Sequence, residues 1–218
     1  MKPRLSNQQN AALTLVEVTI VIAVLVIVVA LILPALAMAK RKTSHISCAN
    51  DLKQVGIAFR LWEGDNNGKY PMVVSVTNGG AMELIATGNV AACFQVMSNE
   101  VNTPKILLCP EDTRRVYATN FSTGFGNTNI SYFVGLDAVE SKPQMILVGD
   151  DNLTVGGVRV QPGILNFRTN ATVGWTKERH QGNGNTGLAD GSVQQLTQDG
   201  LRQAFQQTGI ATNRLAIP

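Results

Sequence analysis

The feature that most restricts how this chain can fold is an apolar run near its beginning, from Ala11 to Ala39, which contains a single charged residue, Glu17. Residues 18–39, 22 in all, carry no charge. At about 1.5 Å per residue, a helix of this length spans roughly 33 Å, enough for the hydrocarbon core of a bilayer at about 30 Å. A lone segment in lipid can satisfy its backbone hydrogen bonds only as a helix, so the run predicts one transmembrane helix.

The position of Glu17 inside this run needs an explanation. The run is too long for a cleaved secretory signal, whose apolar region has about 7 to 15 residues. A carboxylate at the centre of a membrane helix costs about 2.5 to 3.5 kcal/mol, and less near the interface. Two interpretations are open at this point: Glu17 marks the membrane boundary, or its charge has a partner within the membrane.

The residues around Glu17 carry a resemblance. A short polar leader with Lys2 and Arg4 precedes the sequence Ala12-Leu13-Thr14-Leu15-Val16-Glu17. This arrangement resembles the processing site of type IV prepilins and type II secretion pseudopilins. The resemblance implies that a prepilin peptidase removes the leader by cutting between Ala12 and Leu13, and that Leu13 is then methylated. The commonest residues at these two positions of the family are Gly and Phe.

The same resemblance gives Glu17 and Pro34 roles in assembly. Glu17 is the fifth residue of the processed chain, where the family keeps a glutamate that meets the N-terminal ammonium of a neighbouring subunit in a filament. A buried charge is tolerated when it is paired in this way. Pro34 falls where many members have a proline. Because proline cannot donate a hydrogen bond to the carbonyl of Ala30, a kink or a local melt of the helix is expected there.

The length of the chain predicts one modest globular domain behind the membrane helix. We expect a cleaved leader at 1–12, a transmembrane helix at 13–39, an amphipathic continuation of that helix at 40–64 and an α+β domain at 65–218. The formal net charge is +3, and the basic run is short, from Lys40 to Lys42. That run suits lipid headgroups, so we expect contact with membrane lipid and no binding of nucleic acid.

Apolar residues recur at helical spacing beyond the membrane segment. The intervals of 4, 3, 4 and 3 place five of them on one face of a helix: Cys48, Leu52, Val55, Phe59 and Trp62. The glycine at position 64 and the Asp-Asn-Asn-Gly sequence after it predict a stop followed by a turn. The sequence therefore predicts an amphipathic half-helix that lies on the globular domain.

The rest of the chain predicts a mixed domain with a small antiparallel β-sheet, hence an α+β fold class. Short apolar runs indicate strands, Asp-Gly indicates a hairpin with a type I′ turn, and capping residues indicate helices. The predicted elements are helices at 89–98 and 199–207, strands at 105–108, 131–134 and 145–148, and a hairpin at 188–193.

Further segments, in a characteristic order, resemble a bacterial group of prepilin-type proteins named for a His-X9-Asp-Gly spacing (H-X9-DG). The segments are residues 50–56, 108–112 and 131–135, and His180 followed after nine residues by Asp190-Gly191. The resemblance covers almost the whole chain and implies a pilin-like architecture rather than an activity. We expect a structural role for His180, Asp190 and Gly191, in which the imidazole and the carboxylate hydrogen-bond and hold the hairpin loop.

The cysteines and acidic residues suggest few other sites. Three cysteines allow one disulfide, and Cys48 with Cys109 is the predicted pair; three free thiols are the alternative. The two histidines have no paired spacing, so no metal site is predicted from them. Asp150 and Asp151 follow a predicted strand. They are either a strand-end turn or candidates for a calcium site of the kind that major pseudopilins use.

The sequence contains no Gly-x-Ser-x-Gly, phosphate-binding loop or His-Glu-x-x-His, so we expect no enzyme. The resemblance implies a pilin-like structural subunit, with a pseudopilin favoured, of a type II secretion pseudopilus or a type IV pilus-like filament. It implies a single pass through the bacterial inner membrane, a periplasmic C-terminal domain, and as partners copies of itself, other pseudopilins, the prepilin peptidase and the inner-membrane assembly platform. The alternative is a membrane-anchored periplasmic domain that binds a ligand or catalyses a reaction and does not polymerise.

Overall fold

The computed structural model describes residues 14–218, which fall into two compact units, one ending at Lys42 and one formed by Thr43–Pro218. The leader and the predicted cleavage point between Ala12 and Leu13 lie outside the described residues. Helix α1 (Leu15–Asp65) supplies residues 15–42 of the first unit and residues 43–65 of the second.

The described part of the first unit is an apolar helix. Its large apolar side chains, from Leu15 to Met38, are between 43% and 80% exposed. The most apolar 18-residue window of α1 has a mean hydropathy of 3.3, and none of its residues is buried. Helix α1 is therefore long and apolar enough to cross a membrane. The helix continues through Pro34 without a break, so the local melt expected at this proline is not present.

The part of α1 in the second unit buries one face, as its periodicity predicts. Cys48, Leu52, Val55 and Phe59 are fully buried, and Trp62 is nearly so. The helix ends at Asp65, and the next residues include two with positive φ, Asn67 at 57° and Gly68 at 71°. The Gly68 N–H donates to the carbonyl of Glu63 at 3.1 Å, which closes the end of the helix with a left-handed turn.

The remaining described elements are short. The helices are α2 (Met82–Ile85), α3 (Val90–Val96), α4 (Ser98–Val101) and α5 (Gln198–Gln207). The strands are β1 (Tyr132–Gly135), β2 (Ile146–Asp150), β3 (Leu153–Val155), β4 (Val158–Arg159), β5 (Gly163–Arg168), β6 (Val173–Trp175), β7 (Gly184–Leu188), β8 (Val193–Leu196) and β9 (Thr212–Ile217). Five 3-10 helices join them at Pro71–Val73, Val76–Asn78, Pro104–Leu107, Asn127–Asn129 and His180–Gly182.

The strands form two antiparallel sheets. The larger has the order β5-β9-β1-β2-β7-β8, and the smaller has the order β4-β3-β6. In the larger sheet Phe133 pairs with Gly149, and Val134 pairs with both Val148 and Ala216. A long helix with an antiparallel sheet domain confirms the α+β class.

The larger sheet is buried on both faces at its centre. Side chains of a strand alternate between faces, so Tyr132 and Val134 join the buried stripe of α1, while Phe133 joins a second cluster with Phe205 of α5. Strand β2 breaks this alternation, because its register with β7 shifts between Ile146 and Val148. The two apolar clusters therefore lie on opposite sides of β1.

Two local predictions are wrong. The segment predicted as a strand at 105–108 forms a 3-10 helix at 104–107 instead. Pro104 stands at the start of this helix, and the Thr103 hydroxyl caps it by accepting a hydrogen bond from the Lys105 N–H. The hairpin at 188–193 exists, but its turn is not type I′, which needs positive φ at both Asp190 and Gly191. Only Gly191 has a positive φ, 83°, and its N–H donates to the carbonyl of Leu188. This is the pattern of a type I turn with a bulge at glycine.

Candidate functional site

Glu17 lies in the first turn of α1 and is bonded to Thr14. The Thr14 N–H donates to Glu17 Oε2 at 2.7 Å, and the Thr14 hydroxyl donates to the same oxygen at 2.9 Å. The Glu17 N–H donates back to the Thr14 hydroxyl at 3.2 Å. This reciprocal arrangement is a capping box, in which residues three apart satisfy the free N–H groups at the start of a helix. Within one chain, Glu17 therefore caps its own helix.

A buried cluster of four chemically reactive side chains lies in the second unit. Cys48 comes from α1, Cys109 follows the 3-10 helix at Pro104–Leu107, Asp150 ends β2, and His180 begins the 3-10 helix at His180–Gly182. One ligand atom from each of these four residues lies within 4.8 Å of the others. All four residues are buried. We call this group the Cys-His-Asp cluster.

Close contacts join the members of this cluster in pairs. Cys109 Sγ lies 3.3 Å from His180 Nε2, and the Cys48 thiol donates to Asp150 Oδ1 at 3.3 Å. His180 Nε2 also lies 3.6 Å from Asp150 Oδ2. The imidazole nitrogen Nε2, two sulfur atoms and a carboxylate thus point towards one another inside the domain.

Other residues hold the cluster from outside. His180 Nδ1 lies 3.1 Å from Glu111 Oε2, and the His180 backbone N–H donates to the same oxygen at 2.7 Å. Asp150 Oδ2 accepts from the backbone N–H and the side-chain amide of Asn185 at 2.7 and 2.9 Å. The His45 ring stacks on His180 with a centroid distance of 4.3 Å. The His180 ring and the Asp150 carboxylate therefore each have polar contacts outside the cluster as well as within it.

The backbone at His180 is in an uncommon conformation. His180 and Gln181 have φ values of 50° and 58°, in the left-handed region that few residues other than glycine adopt. Two such residues in a row carry strain, which persists where the surrounding contacts require it. Here the contacts of His180 with Glu111 and Cys109 require the turn that aims the imidazole inwards.

The pKa values of three members of the cluster are shifted, and burial raises that of the Cys48 thiol well above its ordinary value. The contact with Cys48 is the largest influence on the pKa of Cys109, and with the neighbouring His180 it lowers this pKa to about 6 despite burial. Burial acts to lower the pKa of His180, but the hydrogen bond with Cys109 and the charge of Asp150 outweigh it and raise this pKa. Cys109 can therefore lose its proton near neutral pH. The resulting thiolate is the form of cysteine that binds metals and acts as a nucleophile.

The predicted contact between His180 and Asp190 is wrong. His180 is buried and contacts Cys109, Asp150 and Glu111, whereas Asp190 is exposed and accepts a hydrogen bond from the Ser192 N–H at 2.8 Å. Asp190 and Gly191 thus shape the hairpin turn by themselves. The histidine and the Asp-Gly pair belong to two separate local structures.

The candidate calcium ligands Asp150 and Asp151 are directed to different partners. Asp151 forms ion pairs with Arg179 and with Arg115, the second at 2.6 Å, while Asp150 contacts the Cys-His-Asp cluster. Calcium needs six to eight oxygen ligands, and Asp151, which also pairs with Arg114 at 3.3 Å and so binds three guanidinium groups, is a poor candidate for one of them. The structure does not bring these two residues together as a calcium site.

The predicted cysteine pair is adjacent in space but not bonded. Cys48 and Cys109 are both buried free thiols within the Cys-His-Asp cluster, and Cys93 is a third buried thiol. The sequence-based argument against a metal site, which was the lack of paired histidine spacing, does not apply here because the four residues come from four separate segments. No short motif in the sequence identifies Glu111, Asn185 or His45 as their supporting residues.

Comparison of the chain with protein-family models, with curated proteins and with solved structures gives no significant match in any of the three.

Proposed function

We propose that this chain is a pilin-like structural subunit, with a pseudopilin favoured, that assembles through its N-terminal helix into a type II secretion pseudopilus or a type IV pilus-like filament. In this proposal α1 anchors the chain in the bacterial inner membrane and the C-terminal domain lies in the periplasm. A prepilin peptidase removes the leader, and Leu13 becomes the methylated first residue. The partners are copies of the chain, other pseudopilins and the inner-membrane assembly platform.

The observation that carries this proposal is a single carboxylate, Glu17, at the start of a helix whose large apolar side chains are exposed from Leu15 to Met38. Such a surface suits either lipid or the same helix of a neighbouring subunit. Bundling these helices would bury Glu17, and a buried charge needs a partner. The free ammonium at Leu13 of a processed neighbour would supply one.

The capping box gives Glu17 a competing role within its own chain, and two substitutions separate the roles. Glu17→Gln removes the charge but keeps a side-chain oxygen that can accept from the Thr14 N–H, because glutamine also serves in capping boxes. Thr14→Val keeps the charge and removes the hydroxyl that Glu17 contacts. If charge pairing drives assembly, we expect Glu17→Gln to incorporate into filaments about tenfold less than wild type, which corresponds to about 1.4 kcal/mol per contact. Thr14→Val should remain near wild type.

The experiment is quantification of filament incorporation in cells with an active prepilin peptidase, with the intact mass of each variant as the control for processing. Every variant should begin at Leu13. Wild-type incorporation by Glu17→Gln, or a loss shown by Thr14→Val alone, would contradict the pairing role. Retention of Met1 and absence of any wild-type assembly would favour the membrane-anchored domain that does not polymerise.

A further inference from the structure

We propose that the Cys-His-Asp cluster is a structural zinc site in which Cys48, Cys109, Asp150 and His180 supply the four ligands. Zinc is bound in proteins by cysteine sulfur, histidine nitrogen and carboxylate oxygen, almost always with four ligands in a tetrahedron at structural sites. Two thiolates also favour zinc over magnesium or calcium, which prefer oxygen. This inference concerns the second unit alone and does not depend on filament assembly.

Two distances within the cluster are close to those that a tetrahedral zinc ion imposes. With zinc–sulfur bonds of about 2.3 Å and zinc–nitrogen or zinc–oxygen bonds of about 2.0 to 2.1 Å, a sulfur ligand lies about 3.5 Å from a nitrogen or oxygen ligand. Two of the four such pairs in the cluster, Cys109 Sγ with His180 Nε2 and Cys48 Sγ with Asp150 Oδ1, are each 3.3 Å apart. All four ligand atoms lie within 4.8 Å of one another, so small side-chain movements suffice to surround one ion.

The contacts outside the cluster are those that orient zinc ligands. A zinc-bound histidine usually directs its other ring nitrogen to a carboxylate or carbonyl, which fixes the ring and raises its basicity. His180 Nδ1 lies 3.1 Å from Glu111 Oε2, within reach of a hydrogen bond that its present alignment does not complete, while Nε2 faces the sulfur atoms. Asn185 holds Oδ2 of Asp150, which leaves Oδ1 towards Cys48.

The arrangement indicates a structural rather than a catalytic ion. Catalytic zinc sites keep one position open for water or substrate, whereas here four buried protein groups can supply all four ligands. The ligands come from α1, from the segment after residue 107, from β2 and from the segment at 180. An ion at this place would tie four distant parts of the chain together, so zinc binding would add to the stability of the fold.

A disulfide between Cys48 and Cys109 is the competing state of the same residues, and the geometry favours zinc. A disulfide would use the two sulfur atoms only and would leave the buried Asp150 and His180 without the cysteine contacts that they have in this structure. They would keep their contacts with Asn185 and Glu111, but each polar contact that a buried group loses costs free energy. A zinc ion would satisfy all four side chains at once.

The test uses the full chain, purified in detergent under reducing conditions, stripped with a chelator and then loaded with Zn²⁺ or with Co²⁺ as a spectroscopic probe. We expect one metal ion per chain after removal of the excess, a thiolate-to-cobalt charge-transfer band, and a higher melting temperature with Zn²⁺. Cys48→Ser and Cys109→Ser should each show a weaker band, because one thiolate remains, and should lose the increase in melting temperature. Cys93→Ser is the matched control, because Cys93 is equally buried but lies outside the cluster.

A second variant tests the orienting contact. Glu111→Gln keeps all four ligands, so we expect it to retain the cobalt band while its Zn²⁺ affinity falls about 10- to 100-fold. Failure of reduced wild-type protein to retain Zn²⁺ or to show the band would overturn the proposal, whether or not the cysteine variants fold. So would protein from cells that is lighter by two hydrogens and shows one titratable thiol after denaturation, since that result identifies a disulfide.

Discussion

At the scale of single residues, the second unit depends on charges that are buried together with their partners. Asp112 has a fully buried side chain and accepts hydrogen bonds from Arg114 and from the Ser131 hydroxyl. Arg179, also buried, lies between Asp112 and Asp151 and forms ion pairs with both. Removing one partner of such a group leaves the others desolvated, which costs more than the loss of an exposed ion pair.

The lowered pKa of Asp112 predicts that the second unit loses stability in acid. Burial acts to raise the pKa of Asp112, but the hydrogen bond from Arg114 and the charge of Arg179 outweigh it and lower this pKa from 3.8 to about 2. The unfolded chain therefore binds more protons than the folded chain between about pH 4 and 2, and stability falls as the pH falls through this window. At pH 7 the lower pKa of Asp112 in the folded chain contributes about 2 kcal/mol to the free energy of unfolding.

We expect Asp112→Asn to lower the free energy of unfolding by about 2 kcal/mol at pH 7, with a smaller difference from wild type at pH 2. Urea unfolding followed by the fluorescence of the buried Trp62 and Trp175 measures this. Asp137→Asn is the control, because the Asp137 pair with Arg214 is more exposed and should contribute at most about 1 kcal/mol. An equal loss in both variants, or a loss in Asp112→Asn independent of pH, would contradict the assignment.

At the scale of elements, the pairing of β1 with β2 leaves no room for a side chain at one position. A Cβ atom at Gly135 would lie 2.1 Å from the carbonyl oxygen of Ile146, which belongs to the backbone of β2. A strand can avoid this overlap only by moving away from its partner. The glycine therefore marks a close approach of two backbones.

We expect Gly135→Ala to destabilise the second unit by about 3 kcal/mol, at the upper end of the cost of overpacking. Gly64→Ala is the matched substitution at the end of α1, where a Cβ would meet nothing within 4 Å. Because alanine favours a helix over glycine by up to about 1 kcal/mol, that variant should be as stable as wild type or more so. Thermal unfolding of both variants is the measurement, and equal melting temperatures would refute the predicted overlap.

At the scale of the whole molecule, the chain is divided after residue 42 into two units that differ in how far their apolar side chains are buried. In the first, the large apolar side chains from Leu15 to Met38 are exposed. In the second, two apolar clusters enclose the larger sheet, and all of their members lie after residue 43. The core of the globular domain therefore needs no side chain of the apolar segment.

This division predicts that residues 43–218, produced without the apolar segment, fold cooperatively and remain in solution, while the full chain is extracted only with detergent. The melting temperature of residues 43–218 should lie within a few degrees of that of the domain in the full chain, because the core is complete. Circular dichroism and sedimentation in the absence of detergent measure this. Aggregation, or unfolding without a cooperative transition, would show that the apolar segment contributes to the domain core.

The local features of the fold could be predicted from the sequence, because each depends on residues close together in the chain. The apolar length of residues 18–39 predicts a helix long enough for a membrane, and the spacing from Cys48 to Trp62 predicts the buried stripe of α1. Helix α5 begins after Thr197, whose hydroxyl accepts from the Gly200 N–H, so its start is also set locally. Turn residues likewise identify the end of α1 and the hairpin between β7 and β8.

The tertiary structure alone decided the strand order and the composition of the candidate site. Cys48 and Asp150 are 102 residues apart in the chain, and Cys109 and His180 are 71 apart, yet each pair is in contact. No local pattern encodes such contacts, because they depend on how β1, β2 and β7 pair and on where α1 packs against them. For the same reason the sequence placed His180 beside Asp190, nine intervening residues away, whereas the fold turns its ring inwards to residues that the chain brings from three other segments.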